Sequence, residues 1–193
     1  MSAQRTALVI PGSGGCWHVP HQFFAVEAAR VRGAHPHQLT WRGEVPAEPA
    51  ARGPWAVGQI AAALRELAEP LIIANSLGTL AAGLAADRGL PAVWITPLLH
   101  RPEVVDGLRR AAAPRLLIGG TADPSWRPDL ARQLSPYVCE LADADHGLRV
   151  PGPLALSAAA LGEIATAVED FLDRVLWPTP PGGNHPGRVG ATG

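Results

Sequence analysis

The chain has 193 residues, 47% of them apolar and 17% charged, with a formal net charge of −1. A chain of this length suits one domain, large enough to bury roughly 70% of the surface that its unfolded form exposes. The near-neutral balance gives no pull towards nucleic acid or an anionic membrane, and the composition is that of an ordinary globular domain.

Short apolar runs alternate with longer stretches of helical spacing, the pattern of a parallel sheet covered on both faces. Strands are expected at 7–10 (ALVI), 37–41 (HQLTW), 71–74 (LIIA), 92–95 (AVWI), 115–118 (RLLI) and 137–141 (YVCEL). Helices are expected at 23–31, 57–67, 77–86, 102–112, 127–134 and 154–176. In the second of these Ile60, Leu64 and Leu67 share one face, and the third is Ala-rich and apolar enough to be buried. Residues 1–177 therefore read as one domain, and the Pro- and Gly-rich 178–193 as a disordered tail.

Cys16 and Cys139 are too isolated to staple a domain or bind zinc and are expected as free thiols. Residues 1–6 lack a signal-peptide core, and no run approaches the ~20 apolar residues of a membrane helix. The location expected is cytoplasmic.

Three segments carry chemistry. Leu71-Ile72-Ile73-Ala74-Asn75-Ser76-Leu77-Gly78 runs from a strand into an apolar helix with a serine at the junction. A turn that tight needs small residues two before and two after the serine, and Ala74 and Gly78 supply them, Ala standing where the usual motif has Gly. Serine is also a favoured helix N-cap, the plainer use of the same residue. Ile118-Gly119-Gly120-Thr121-Ala122-Asp123 places an aspartate just beyond the fifth strand, and Asp143-Ala144-Asp145-His146-Gly147 a histidine just beyond the sixth. Open α/β sheets gather their chemistry at the carboxyl ends of parallel strands. The order serine, acid, histidine thus converges there, with Ser76 as nucleophile, Asp123 as acid and His146 as base. Asp143 and Asp145, beside His146, read as loop caps or supporting groups.

The loop Ile10-Pro11-Gly12-Ser13-Gly14-Gly15-Cys16-Trp17 matches neither a dinucleotide fingerprint nor a P-loop. It suits half of an oxyanion hole facing the Leu77 N–H, with Ser13 as first choice of donor and Gly14 as second. Gly14, Trp17 and Trp126 are candidate pocket residues, with core or rim packing an equal use for the tryptophans. The remaining histidines lack metal-ligand spacing, and no metal is expected.

The blocks IPGSGG, ANSLG, GTADP and ADHG resemble those of the α/β-hydrolase superfamily, and are especially similar to its compact lidless serine hydrolases of the retinoblastoma-binding-protein type. The resemblance spans about residues 6–175. It implies a three-layer sandwich with a mostly parallel six-stranded sheet ordered 2-1-3-4-5-6, without a cap domain, and a triad of Ser76, Asp123 and His146. Residues 96–113 and 43–54 are too short for a cap, the second segment sufficing for a rim loop.

The activity expected is hydrolysis of an ester or thioester through an acyl-serine, with no cofactor and a small or carrier-bound acyl substrate. The alternatives are acid/base chemistry on the same fold (elimination, cyclisation or C–C cleavage) or a non-catalytic binding protein. Substrate identity and oligomeric state are not encoded in these patterns.

Overall fold

The computed structural model describes residues 4–178. Apart from Pro178, the expected tail lies outside the described residues. Six strands, β1 (Thr6–Ile10), β2 (His35–Gln38), β3 (Leu71–Asn75), β4 (Ala92–Ile95), β5 (Arg115–Gly120) and β6 (Tyr137–Leu141), form one sheet. The order is β2-β1-β3-β4-β5-β6 and every neighbouring pair is parallel. The connecting helices are α1 (Pro20–Arg30), α2 (Pro49–Leu64), α3 (Ala82–Asp87), α4 (Pro102–Arg110), α5 (Pro128–Leu134) and α6 (Leu154–Phe171).

Alternation along each strand divides the core in two. Leu8, Ile10, Ile72, Ala74, Trp94 and Leu117 face α2, α3, α4 and α5. Ala7, Val9, Leu71, Ile73, Val93, Ile95 and Ile118 face α1 and α6. The inner strands carry runs of consecutive apolar residues because both faces are covered, and fully burying one such Leu or Ile contributes roughly 1.5–3 kcal/mol. Together these elements make a three-layer α/β/α sandwich with no cap domain among the described residues.

Several elements differ from their sequence outlines. The second strand is His35–Gln38 rather than 37–41, in register Thr6↔His35 to Val9↔Gln38. It is an exposed edge strand, so pairing with β1, not an apolar pattern, sets its ends. Helix α2 begins at Pro49 and contains Pro54, so the expected rim loop of 43–54 is partly helical. Pro49 occupies a first-turn position that costs no backbone bond, and the Arg52 side chain donates to the carbonyls of Pro46 and Ala47. The segment after Ser76 is a 3-10 helix, Ser76–Ala81, before α3 begins. The final helix ends its α geometry at Phe171 and widens to a π turn over Leu172–Leu176.

Candidate active site

Ser76 follows directly on β3, with Asn75 still extended. Its φ is +48°, a left-handed conformation unusual for a residue with a Cβ, and it costs on the order of 1–3 kcal/mol. The surroundings hold it there. The Thr79 hydroxyl donates to the Ser76 carbonyl at 2.6 Å, and the Leu98 N–H donates to that same hydroxyl at 3.3 Å. A Cβ on Gly78 would stand 2.8 Å from both the carbonyl oxygen and a side-chain methyl of Ile10, so only glycine lets the 3-10 turn lie this close to β1. Ala74, at the other small position, is fully buried in the core that α2 to α5 cover.

The Ser76 Oγ lies 2.8 Å from His146 Nε2, and His146 Nδ1 lies 2.7 Å from Asp123 Oδ2. The other carboxylate oxygen accepts the Ser125 N–H at 2.8 Å. The Asp123 side chain is 1% exposed, whereas that of His146 is 41% exposed. Burial pushes the Asp123 carboxyl up, but the hydrogen bonds from His146 and Ser125 outweigh it and hold the group below its ordinary value. An ionised carboxylate only accepts hydrogen bonds, so Nδ1 carries the imidazole proton and Nε2 offers its lone pair to the serine hydroxyl. A general base within reach of a nucleophile, oriented by a third group, can activate that nucleophile.

The loops bearing these groups are closed by their own side chains. Trp126 lies over Gly119, where an added Cβ would come within 2.1 Å of the indole, and its Nε1 donates to Glu140 at 2.7 Å. Trp126 is thus largely a core residue, with an edge on a cavity of about 680 Å³ between α4 and α5. Asp145 accepts the N–H groups of Gly147 and Arg149 through one oxygen, capping the turn that presents His146. The Asp143 N–H is held by the Thr121 hydroxyl. Neither aspartate takes the place at His146 Nδ1.

The glycine loop passes over the serine. A Cβ on Gly12 would lie 3.4 Å from Ser76 Cβ. Ser13 and Gly14 follow, both exposed. The Gly12 carbonyl accepts from Gly15 N at 3.0 Å and from Trp41 Nε1 at 2.9 Å, which fixes the loop's course. The Leu77 N–H belongs to the first turn of the 3-10 helix, whose N–H groups have no partner within the helix. Trp17 is half-buried, packed at the edge of the α1/α6 core with its ring 3.7 Å from that of His18. Cys16 and Cys139 are both free, and burial pushes the Cys139 thiol up to about 11. Among the described residues no group of three or more His, Cys, Asp or Glu side chains is placed to hold a metal ion, and no helix is long and apolar enough to cross a membrane.

Beneath the serine lies a buried polar cluster that no sequence pattern singled out. The Thr96 hydroxyl donates to Asn75 Oδ1 at 3.0 Å, with Thr96 itself at φ +44°. His21, in the first turn of α1, is 6% exposed and close enough to Asn75 and His146 to feel both. Burial pulls its pKa down to about 4, with the Asn75 side chain opposing the shift and His146 adding to it. The neighbouring Gln22 donates to the carbonyls of Ile10 and Ile73, joining β1 and β3 where their ends diverge. Asn75 was visible beside the serine. His21 and Thr96 carry no local signal, because their importance comes from what the fold sets against them.

No family model matches this chain, and no curated protein matches its sequence. Solved structures do match its backbone. An α/β serine hydrolase homologue from Coxiella burnetii superposes with a TM-score of 0.68 at 16% identity, over 89% of this chain and 86% of that one. Est1E from Butyrivibrio proteoclasticus, solved with ferulic acid bound, gives 0.66 at 13% identity over 87% and 88%. A thioesterase domain from the curacin biosynthetic pathway gives 0.55 at 13% identity over 82% and 91%. With the parallel sheet ordered 2-1-3-4-5-6 and the strand-to-helix junction at Ser76, this likeness establishes the α/β-hydrolase fold.

Proposed function

We propose that the protein is a serine hydrolase that cleaves an ester or thioester through an acyl-enzyme on Ser76. The observation that carries this reading is the unbroken chain from the Ser76 hydroxyl through both nitrogens of His146 to a buried carboxylate of Asp123. In the first half-reaction the Ser76 oxygen attacks the substrate carbonyl carbon while His146 Nε2 takes the hydroxyl proton. The imidazolium that forms is stabilised by Asp123, and the developing oxyanion by the N–H of Leu77 with that of Ser13 or Gly14. Collapse breaks the bond to the leaving alcohol or thiol, which departs with the proton from Nε2. Water then attacks the acyl-serine by the same route in reverse roles, releasing a carboxylic acid and restoring the hydroxyl.

The half-exposed Ser76 and the accessible face of His146 suit a bulky or carrier-bound acyl group. The test is a fluorophosphonate probe followed by peptide mapping. The expected adduct is on Ser76, and Ser76→Ala abolishes labelling and lowers turnover of p-nitrophenyl esters by roughly 10⁴- to 10⁶-fold. Labelling at Ser13 or Ser125, or ester turnover that survives in Ser76→Ala, refutes the assignment. Survival would favour acid/base chemistry by His146 without an acyl-serine.

A further inference from the structure

A second feature adjoins the loop that carries His146. The glycine loop that passes over Ser76 continues into Val19 and the start of α1, and the loop that presents His146 continues into Leu148 and Val150. Between these two continuations and the first turns of α6 lies a cavity of about 400 Å³, lined by Val19, His21, Leu148, Val150, Leu154 and Leu161. Gly147, the residue after His146, also lines it, so the cavity begins one residue from the imidazole.

Its walls are apolar and deliberately held. Leu148 is 2% exposed although its φ is +57°, an uncommon conformation for a leucine, and its N–H is tied to the Asp145 carbonyl at 2.9 Å. The Val150 N–H is tied to the Ser157 hydroxyl at 3.0 Å, which pins this wall to α6. Leu154, by contrast, is 87% exposed at the rim, an apolar side chain that serves no core. His21, neutral at neutral pH, adds no charge to the lining, and Arg149, exposed, stands at the outer side.

We infer that this cavity is the acyl-chain site of the enzyme and selects esters of straight-chain, medium-length fatty acids, about six to ten carbons. The inference rests on the reading of Ser76 as the nucleophile. A methylene takes about the space of a water molecule, roughly 30 Å³, so the cavity has room for roughly a dozen such groups, fewer where its mouth is open. Its size falls at the low end of ligand pockets in general. A chain whose carbonyl carbon meets Ser76 Oγ passes His146 and Gly147 and lies along Leu148 towards Leu161. Leu154 stands exposed at the rim of the cavity.

The experiment compares p-nitrophenyl acetate with p-nitrophenyl octanoate. Octanoate has six methylenes more than acetate and each buried one contributes about three- to fourfold, so burial of even three of them should make kcat/KM favour octanoate by roughly 50-fold. Leu161→Trp fills the cavity and should cut the octanoate-to-acetate ratio about tenfold. Leu154→Glu, at a position too exposed to affect folding, should cut the same ratio several-fold. Ratios within about twofold of wild type in both variants overturn the inference. Binding of sodium octanoate to the Ser76→Ala protein by calorimetry tests the cavity apart from the chemistry. Binding that is weakened by Leu161→Trp supports the acyl site even if Ser76 proves unreactive. Absent or unaltered binding overturns it, while fluorophosphonate labelling of Ser76 would still leave the hydrolase reading standing.

Discussion

Acid should destabilise this protein through His21 before it reaches the carboxylates. The ring is 6% exposed, and burial lowers its pKa from 6.5 to about 4. In the unfolded chain the same imidazole titrates at its ordinary value. Between these two values the unfolded state therefore binds a proton that the folded state refuses. Stability from the neutral ring is fully present above pH 6.5, declines as the pH falls, and is lost once the pH passes about 4. At about 1.4 kcal/mol per pH unit the total is about 3 kcal/mol. With a urea m value of about 2 kcal/mol/M, that moves the unfolding midpoint by about 1.5 M. The assay is urea unfolding from pH 7.5 to 4 of the wild type and of His21→Gln, which keeps a polar group beside Asn75 but cannot titrate. Subtracting the two curves removes the contributions of groups not coupled to His21, including the loss that the depressed Asp123 carboxyl begins to contribute towards pH 4. The wild type should lose about 3 kcal/mol more than the variant across this window. Parallel curves, differing by less than about 0.5 kcal/mol in slope over the range, would show that His21 titrates normally and is not held neutral by burial.

Gly78→Ala forces a methyl against two backbone carbonyls, those of Ile10 and Pro11, at 2.8 and 3.0 Å. It should cost about 1–3 kcal/mol in thermal or urea unfolding and slow fluorophosphonate labelling. Gly83→Ala, whose nearest neighbour is the flexible end of Arg110 at 3.6 Å, should be neutral or slightly stabilising. Equal effects at the two positions would mean that the junction at Ser76 is not tightly packed. Asp123→Asn should lower ester turnover by roughly 10⁴-fold, since the amide no longer fixes the imidazole tautomer. Asp145→Asn retains an oxygen for the N–H groups of Gly147 and Arg149 and should cost no more than about tenfold. The reverse ranking in steady-state assays would reassign the acid.

The sequence carries the fold class in its apolar runs, because inner strands covered by helices on both faces bury consecutive residues. Leu71-Ile72-Ile73-Ala74 and Ala92-Val93-Trp94-Ile95 could be read directly for that reason. It also marked Ser76, Asp123 and His146, since each sits where a strand ends and a small-residue loop begins. The limits of β2 and α2 were not local matters. An exposed edge strand such as His35–Gln38 takes its register from its neighbour, and Pro54 resembles a helix stop until packing on the core keeps the helix intact. Only the assembled fold brings Ser76 and His146, 70 positions apart in the chain, to a 2.8 Å contact. It alone set a lone histidine in α1 beside Asn75 and opened a cavity next to Gly147. Periodicity and turn chemistry are short-range and leave their mark on adjacent residues. Burial, desolvation and the meeting of distant loops depend on every element at once, and no stretch of sequence holds them.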